Sequence, residues 1–331
     1  MDKYILEKKL SDTSKVKSAF YKSSGFIRKL LHFIFCGFTF CGSLVIILGF
    51  ITFSSVAQTT LQVATKSIVR TLPYKPGYEL SIDGEKADVI IQAGANSVVK
   101  VMAEITSKNP NLADAQKDLE QVQFDAELVG KRIILRNFTK PFNNGQKPKS
   151  NLTVAYRIYV PSECAVDLKN KFGKASISNL FNLFQSKTEF CNVTLQNIKG
   201  KINIDTKFGD ITAKQINGDV HIKAHRSNVN LSQLKGNYNL NIDHGDANIV
   251  ADIAQINLNV YGENANVTFS PYGRAYNYDL TAKGGAISLP QNLSFSINDH
   301  GENGKSAYFK PQNTQQVITI KVNMGSVKVV N

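Results

Sequence analysis

A turn residue, then a polar one, then an apolar, polar, apolar triplet recurs every eighteen positions along this chain. The series runs Gly173, Cys191, Gly209, Ser227, Gly245 and Glu263, each the previous number plus 18. A seventh copy falls at Gly285, after a four-residue insertion that includes Pro271 and Gly273. A short period of this kind predicts stacked coils that bury their apolar faces only against one another. It moves the search for function from an enclosed pocket to a long outer surface.

Aligned on the turn, four columns are apolar. Seven positions before it stand Val166, Phe184, Ile202, Val220, Tyr238, Ile256 and Tyr278, and five before it Leu168, Ser186, Ile204, Ile222, Leu240, Leu258 and Leu280. The columns two and four positions after the turn are apolar as well, from Ala175 and Ile177 onward. Strict alternation sends the intervening Asn, Asp, Lys, Ser and Thr to the opposite face, as in strands with one buried side. A second turn column, nine residues on, holds Asn182, Gly200, Gly218, Gly236 and Ala254, so each coil is expected to have two short strands and two corners. The segment VITIKVNMGSVKVV repeats the pattern at Gly325, Val327 and Val329 and is expected to close the open end of the stack.

Upstream the chain changes character. Leu31 to Ala57 holds no charged residue and exceeds the roughly 20 apolar residues that span a bilayer as a helix. Before it, eight cations (Lys3, Lys8, Lys9, Lys15, Lys17, Lys22, Arg28 and Lys29) face only Asp2, Glu7 and Asp12, a bias that holds a flank on the cytoplasmic side. The expectation is a cytoplasmic tail at 1–30, a transmembrane helix at 31–57 and an exported C-terminal domain, periplasmic or extracellular. The alternative is cleavage after Ala57, whose small-residue approach Ser55-Val56-Ala57 suits a signal peptide, leaving a secreted or periplasmic protein.

Residues 58–71 read as a linker or first strand. Alternating runs from Tyr78 (YELSID, ADVIIQAG, SVVKVMAEI) make 72–163 an N-terminal β part of the solenoid. One short helix near 111–122 interrupts it, where Leu112, Ala115, Leu119 and Val122 follow Asn109 and Pro110 at helical spacing. Regular coils and closing strands occupy 164–331. The fold class is therefore all-β, a single-stranded β-solenoid with 18-residue coils, one inserted helix and a preceding transmembrane helix.

The segments PGYELSIDGEKADVIIQ, YRIYVPSECAVDLKNKFGKASISNL, KFGDITAKQINGDVHIK and HGDANIV resemble the putative adhesin family of bacterial envelope proteins, over roughly residues 72–330. The resemblance implies an exported or membrane-anchored β-solenoid. Cys191, Ser227 and Glu263 replace the family's turn glycine, so irregular corners are expected there.

The formal net charge is +13, of which the tail supplies 8 − 3 = +5 and the exported part the remaining +8, a balance that for an exported domain points to acidic glycans, lipid headgroups or another envelope protein rather than nucleic acid. Four and six positions before the turn, Lys169, Lys187, Lys223, Asn203, His221, Asn239, Asn241, Asn257 and Asn259 form a polar wall that suits an acidic glycan, or plain solubility through Asn ladders. Phe172, Phe190 and Phe208 share the column just before the turn. They predict an exposed aromatic ladder, either a corner stabiliser or a sugar platform.

Catalytic chemistry is hard to find. Asp210 and Asp246 share a column but lie two coils apart, about 9.6 Å at the strand spacing, too far for a Ca²⁺ cage. His225 and His244 occupy adjacent columns without an evident third metal ligand. Cys164 and Cys191, one and a half periods apart, read as two free buried thiols. The reading is thus a membrane-anchored, adhesin-like module that needs no cofactor and either binds a ligand or serves structurally. The alternatives are an envelope sensor signalling through its tail and a polysaccharide-active β-helix enzyme.

Overall fold

The computed structural model describes residues 60–311 and 314–330. The expected tail at 1–30 and membrane helix at 31–57 lie outside the described residues, and within those described no helix is long and apolar enough to cross a membrane.

The N-terminal elements are β1 (Gln62–Pro73), β2 (Glu79–Glu85), β3 (Ala87–Gly94), β4 (Val98–Asn109), helix α1 (Leu112–Leu119), β5 (Val122–Val129), β6 (Arg132–Thr139) and β7 (Asn151–Pro161). The coils follow as β8 (Ala165–Ser178), β9 (Phe184–Lys207), β10 (Ile211–His225), β11 (Val229–Val250) and β12 (Ile256–Ser270). The chain ends with β13 (Asn277–Lys283), β14 (Ile287–Ser288), β15 (Ser296–Asp299), β16 (Lys305–Phe309), β17 (Val317–Asn323) and β18 (Val327–Val329).

From β8 to β11 the coils stack in parallel at the expected step. Val166 pairs with Phe184, and Ile211 pairs with both Val193 and Val229. The next step is 20 residues, because Tyr238 pairs with Leu258 and Gly245 with Ala265. The two extra residues lie between Val250 and Ile256. Glu263 is therefore not a turn position, and Ala265 takes its place. Alternation could not reveal this slip, since a shift of two residues leaves every side chain on the same face.

Chain order and spatial order part company at both ends. Strands β2 and β3 lie between β8 on one side and β6 and β7 on the other, with Leu80 pairing Val166 and Ile133, and Val89 pairing Ala175 and Tyr156. At the far end Ile318 pairs with Leu258 and Tyr278, and Val327 with Val267 and Ile287. The last segment is thus an interior rung, inserted between β12 and β13, and does not close the stack. Closure falls instead to antiparallel strands: β16 and β15 at this end, and β5, β4 and β1 at the other. Residues 62–71 of the segment read as a linker or first strand belong, with Leu72 and Pro73, to strand β1.

The corners differ from expectation as well. The left-handed residue is the one before the turn glycine: Phe172, Phe190, Phe208, Arg226 and His244 have φ between 50° and 61°. A second left-handed column, at Asn179, Asn197, Gln215 and Gln233, and the glycines Gly200 and Gly236 (φ 109° and 111°) supply the other bends. Corners at Cys191 and Ser227 are regular, for Phe190 and Arg226 keep the left-handed geometry there. Glycine at the turn column answers to packing: a Cβ on Gly209 or Gly245 would fall 2.2 Å from the carbonyl of Cys191 or Ser227. Glycine therefore alternates with a small buried residue along this column, which reads Ala87, Gly173, Cys191, Gly209, Ser227, Gly245, Ala265.

Helix α1 is short, as expected. Asn111 caps it by accepting from the Ala113 and Asp114 N–H groups, and Ala115 and Leu119 are buried, the helix packing on β1 and β4. Buried Asp118 accepts from the Lys149 and Ser150 amides at 2.9 and 2.8 Å, tying down the end of the polar 139–150 loop.

Candidate functional site

The polar wall exists, and parallel in-register stacking builds it. Each outward position repeats about 4.8 Å further along the axis. Reading along one column gives Asp83, Lys169, Lys187, Asp205, Lys223, Asn241 and Tyr261, and along the next Asp167, Gln185, Asn203, His221, Asn239 and Asn259.

Five of the expected wall residues, Lys169, Lys187, Asn203, His221 and Lys223, line one groove of about 490 Å³ between these two columns. Lys169 and Lys187 also line a second groove of about 480 Å³ on their other side, together with Phe172 and Lys207, above a floor that includes the buried Asn170 and Thr188. Lys169, Lys187 and Asp205 line both grooves and form the ridge they share. Asn239 only prolongs the wall. Asn257 is displaced by the two-residue slip and stacks on Asn237, to which it donates at 3.0 Å, while Asn259 donates to Asn239 at 3.1 Å.

The sequence reading left Asp205 out of the polar wall, although it stands four positions before Gly209, between Lys187 and Lys223. With Asp167 it makes the first groove a mixture of three lysines and two aspartates rather than a uniformly basic surface. Among the described residues, none of Lys169, Lys187 and Lys223 has a carboxylate oxygen within 4.0 Å.

The aromatic ladder forms as expected. Phe172 and Phe190 stack at 5.1 Å and 4°, Phe190 and Phe208 at 4.7 Å and 6°. All three are exposed. Their faces, however, are spent on one another, and the Arg226 guanidinium lies 5.8 Å from the Phe208 ring centre. A sugar stacks on a ring face, so Phe190 and Phe208 offer it only edges. Phe172 lines the second groove. The ladder is chiefly a corner stabiliser that offsets the cost, about 1 to 2 kcal/mol, of each non-glycine residue held left-handed.

On the opposite face, the carboxylates considered for metal binding are spent on backbone. Asp210 Oδ1 accepts from the Asn228 amide at 2.8 Å, Asn228 Oδ1 from Asp246 at 3.0 Å and Asp246 Oδ1 from Asn266 at 3.4 Å, in a ladder that begins with Asn192 accepting from Asp210. His225 and His244 both direct Nδ1 at one carboxylate, Asp243, at 2.5 and 2.6 Å. These hydrogen bonds, that from His244 first, hold the Asp243 carboxyl below its ordinary range. Among the described residues no group of three His, Cys, Asp or Glu could hold a metal ion. Cys164 and Cys191 are buried free thiols, and burial pushes Cys164 up to about 12 and Cys191 upward, which leaves both protonated and unreactive at neutral pH.

A family model described as Toastrack DUF4097 matches residues 78–330. No curated protein matches the chain. Among solved structures it is similar to a putative adhesin from Parabacteroides merdae ATCC 43184, at 13% identity and a TM-score of 0.46, covering 82% of this chain and 97% of that one. A putative adhesin from Parabacteroides distasonis ATCC 8503 is similar at 12% identity and 0.43, covering 81% and 97%, and a putative lipid binding protein from the same organism at 13% and 0.40, covering 80% and 97%.

Proposed function

The chain belongs to the Toastrack DUF4097 family, and from that premise we propose that it is a non-catalytic, adhesin-like module of the cell envelope that holds an extended acidic glycan along its polar wall. In this reading residues 31–57 anchor it in the cytoplasmic membrane as a single pass, with the basic tail inside and the solenoid outside. The uncharged run and its basic flank support that placement.

The observation that carries the binding role is the Lys169–Lys187 ridge. These two lysines are register partners on neighbouring rungs. Like charges directly opposite in a ladder repel, and a bound anion relieves the repulsion. The grooves on either side run along the stacking axis and present amides and further cations, with Asp83, Glu85 and Glu189 adding carboxylates to the second. Asp205 and Asp167 favour a ligand whose charges alternate with neutral hydroxylated stretches over a densely anionic one. Asp210 and Asp246, the pair weighed for a Ca²⁺-dependent enzyme, accept from backbone amides instead.

The test is retention of the full-length protein on an immobilised acidic polysaccharide. The Lys169→Gln, Lys187→Gln, Lys223→Gln triple variant should elute at lower salt than the wild type, because surface ion pairs are screened over about 10 Å at 0.1 M salt. Elution of both proteins at the same salt concentration rejects the assignment.

A further inference from the structure

Among the described residues, strands β1, β5, β14 and β15 each pair on one side only. An open edge recruits further strands unless it is short or charged. Three of the four are protected in this way: β14 has two residues, β15 has four and ends at Asp299, and β5 carries Asp125 and Glu127. Strand β1 is the longest of the four, and its two charges, Lys66 and Arg70, both lie on one face. Its 12 residues run in unbroken register with β4, from Gln62 opposite Asn109 to Pro73 opposite Val98, and proline appears only at the last position.

Side chains alternate along β1, so Val63, Thr65, Ser67, Val69 and Thr71 share one face, which is exposed and carries no charge. The cations Lys66 and Arg70 belong to the other face, where Lys66 pairs with Glu120 of the segment after α1 at 3.1 Å. Arg70 donates to the Val69 carbonyl at 3.0 Å. That contact marks Val69 as directed at the open side, and the two-residue period extends the direction to Val63, Thr65, Ser67 and Thr71.

We propose that β1 is a self-association edge, at which two copies of this chain pair β1 to β1, antiparallel, about a two-fold axis at Ser67. Identical surfaces related by a two-fold axis are the usual way a chain pairs with itself. Centring on Ser67 gives all five open residues a partner, with Val69 opposite the partner's Thr65 and Val63 opposite the partner's Thr71. Lys66 then faces the partner's Ile68 and Arg70 the partner's Ala64, so no like charges oppose each other. Centring on Thr65 strands Val69 and Thr71; centring on Val69 strands Val63 and brings in Pro73, which has no N–H.

The experiment uses the full-length chain purified in detergent. Its protein mass by light scattering should be that of two chains. Oxidation of Ser67→Cys should give a disulfide-linked dimer well above the wild-type background, since paired Cα atoms stand about 5.5 Å apart. Thr65→Cys should remain at background, because its copies lie about 13 Å apart along the strands. Val69→Lys, a change at an exposed position, should halve the mass without altering the melting temperature. A wild-type mass of one chain, equal cross-linking at positions 65 and 67, or a Val69→Lys variant that keeps its doubled mass would each overturn the proposal.

Discussion

Replacing Ile320 by alanine separates an interior terminal segment from one that caps the stack. Ile320 is fully buried and lies between Val260 on β12 and Leu280 on β13. The substitution removes three carbons from a site whose backbone is held by ladders on both sides and cannot collapse into the space. Such a loss costs about 2 to 5 kcal/mol. An end cap would leave the side chain covered on one side only, and roughly half that cost would follow. Ile297, 60% exposed on the true terminal strand β15, is the control, and its replacement by alanine should cost less than about 0.5 kcal/mol. Urea unfolding of the full-length protein in detergent, with the slope checked for constancy, gives both values. Ile320→Ala should lower the midpoint clearly, and β17 amides should exchange as slowly as those of β12. An Ile320→Ala cost below about 1 kcal/mol, or one equal to that of Ile297→Ala, would refute the interior placement.

The Asp210 ladder predicts a contrast between two substitutions. Asp210→Asn keeps the carbonyl that accepts from Asn228 and should change stability by less than about 0.5 kcal/mol, whereas Asp210→Ala leaves that amide without its partner and should cost about 1 to 2 kcal/mol, both read by urea midpoint. The two histidines predict a pH effect. Their hydrogen bonds lower the folded-state value of Asp243 below its ordinary 3.8, so their contribution is present above that pH and is lost as pH falls through the lowered value. Urea midpoints of wild type and Asp243→Asn should therefore differ near pH 5 and converge in stronger acid, and parallel curves would contradict the cause assigned.

Much of this architecture can be read from the sequence because solenoid packing is local. The apolar columns at Val166, Phe184, Ile202 and Val220 mark rungs wherever those rungs end up, and the ladder of Phe172, Phe190 and Phe208 follows from period alone. Two things escape periodicity. A slip of two residues conserves facing, so Glu263 and Ala265 were equally good turn positions and Asn257 landed one column away from its expected place. Rung order is the other, because strands such as β3, β17 and β18 alternate in the same way as their neighbours and fit any position in a parallel stack. Left-handed geometry at Phe190 and Arg226 was hidden for a different reason: glycine drew attention to the turn column, where its role is to leave room for the adjacent carbonyl. At the candidate site Lys169, Lys187 and Lys223 were legible as a column, but Asp205 belongs to it and tempers its charge.

The claim that the wall holds an extended acidic glycan along the stacking axis is tested most directly by calorimetric titration with oligosaccharides of increasing length cut from one acidic polysaccharide. Affinity should rise with each added unit while new rungs are engaged, level off once the grooves are filled, and lose its length dependence in the Lys169→Gln, Lys187→Gln, Lys223→Gln variant. Absence of binding at every length, or an affinity that ignores both length and the three lysines, would contradict the account.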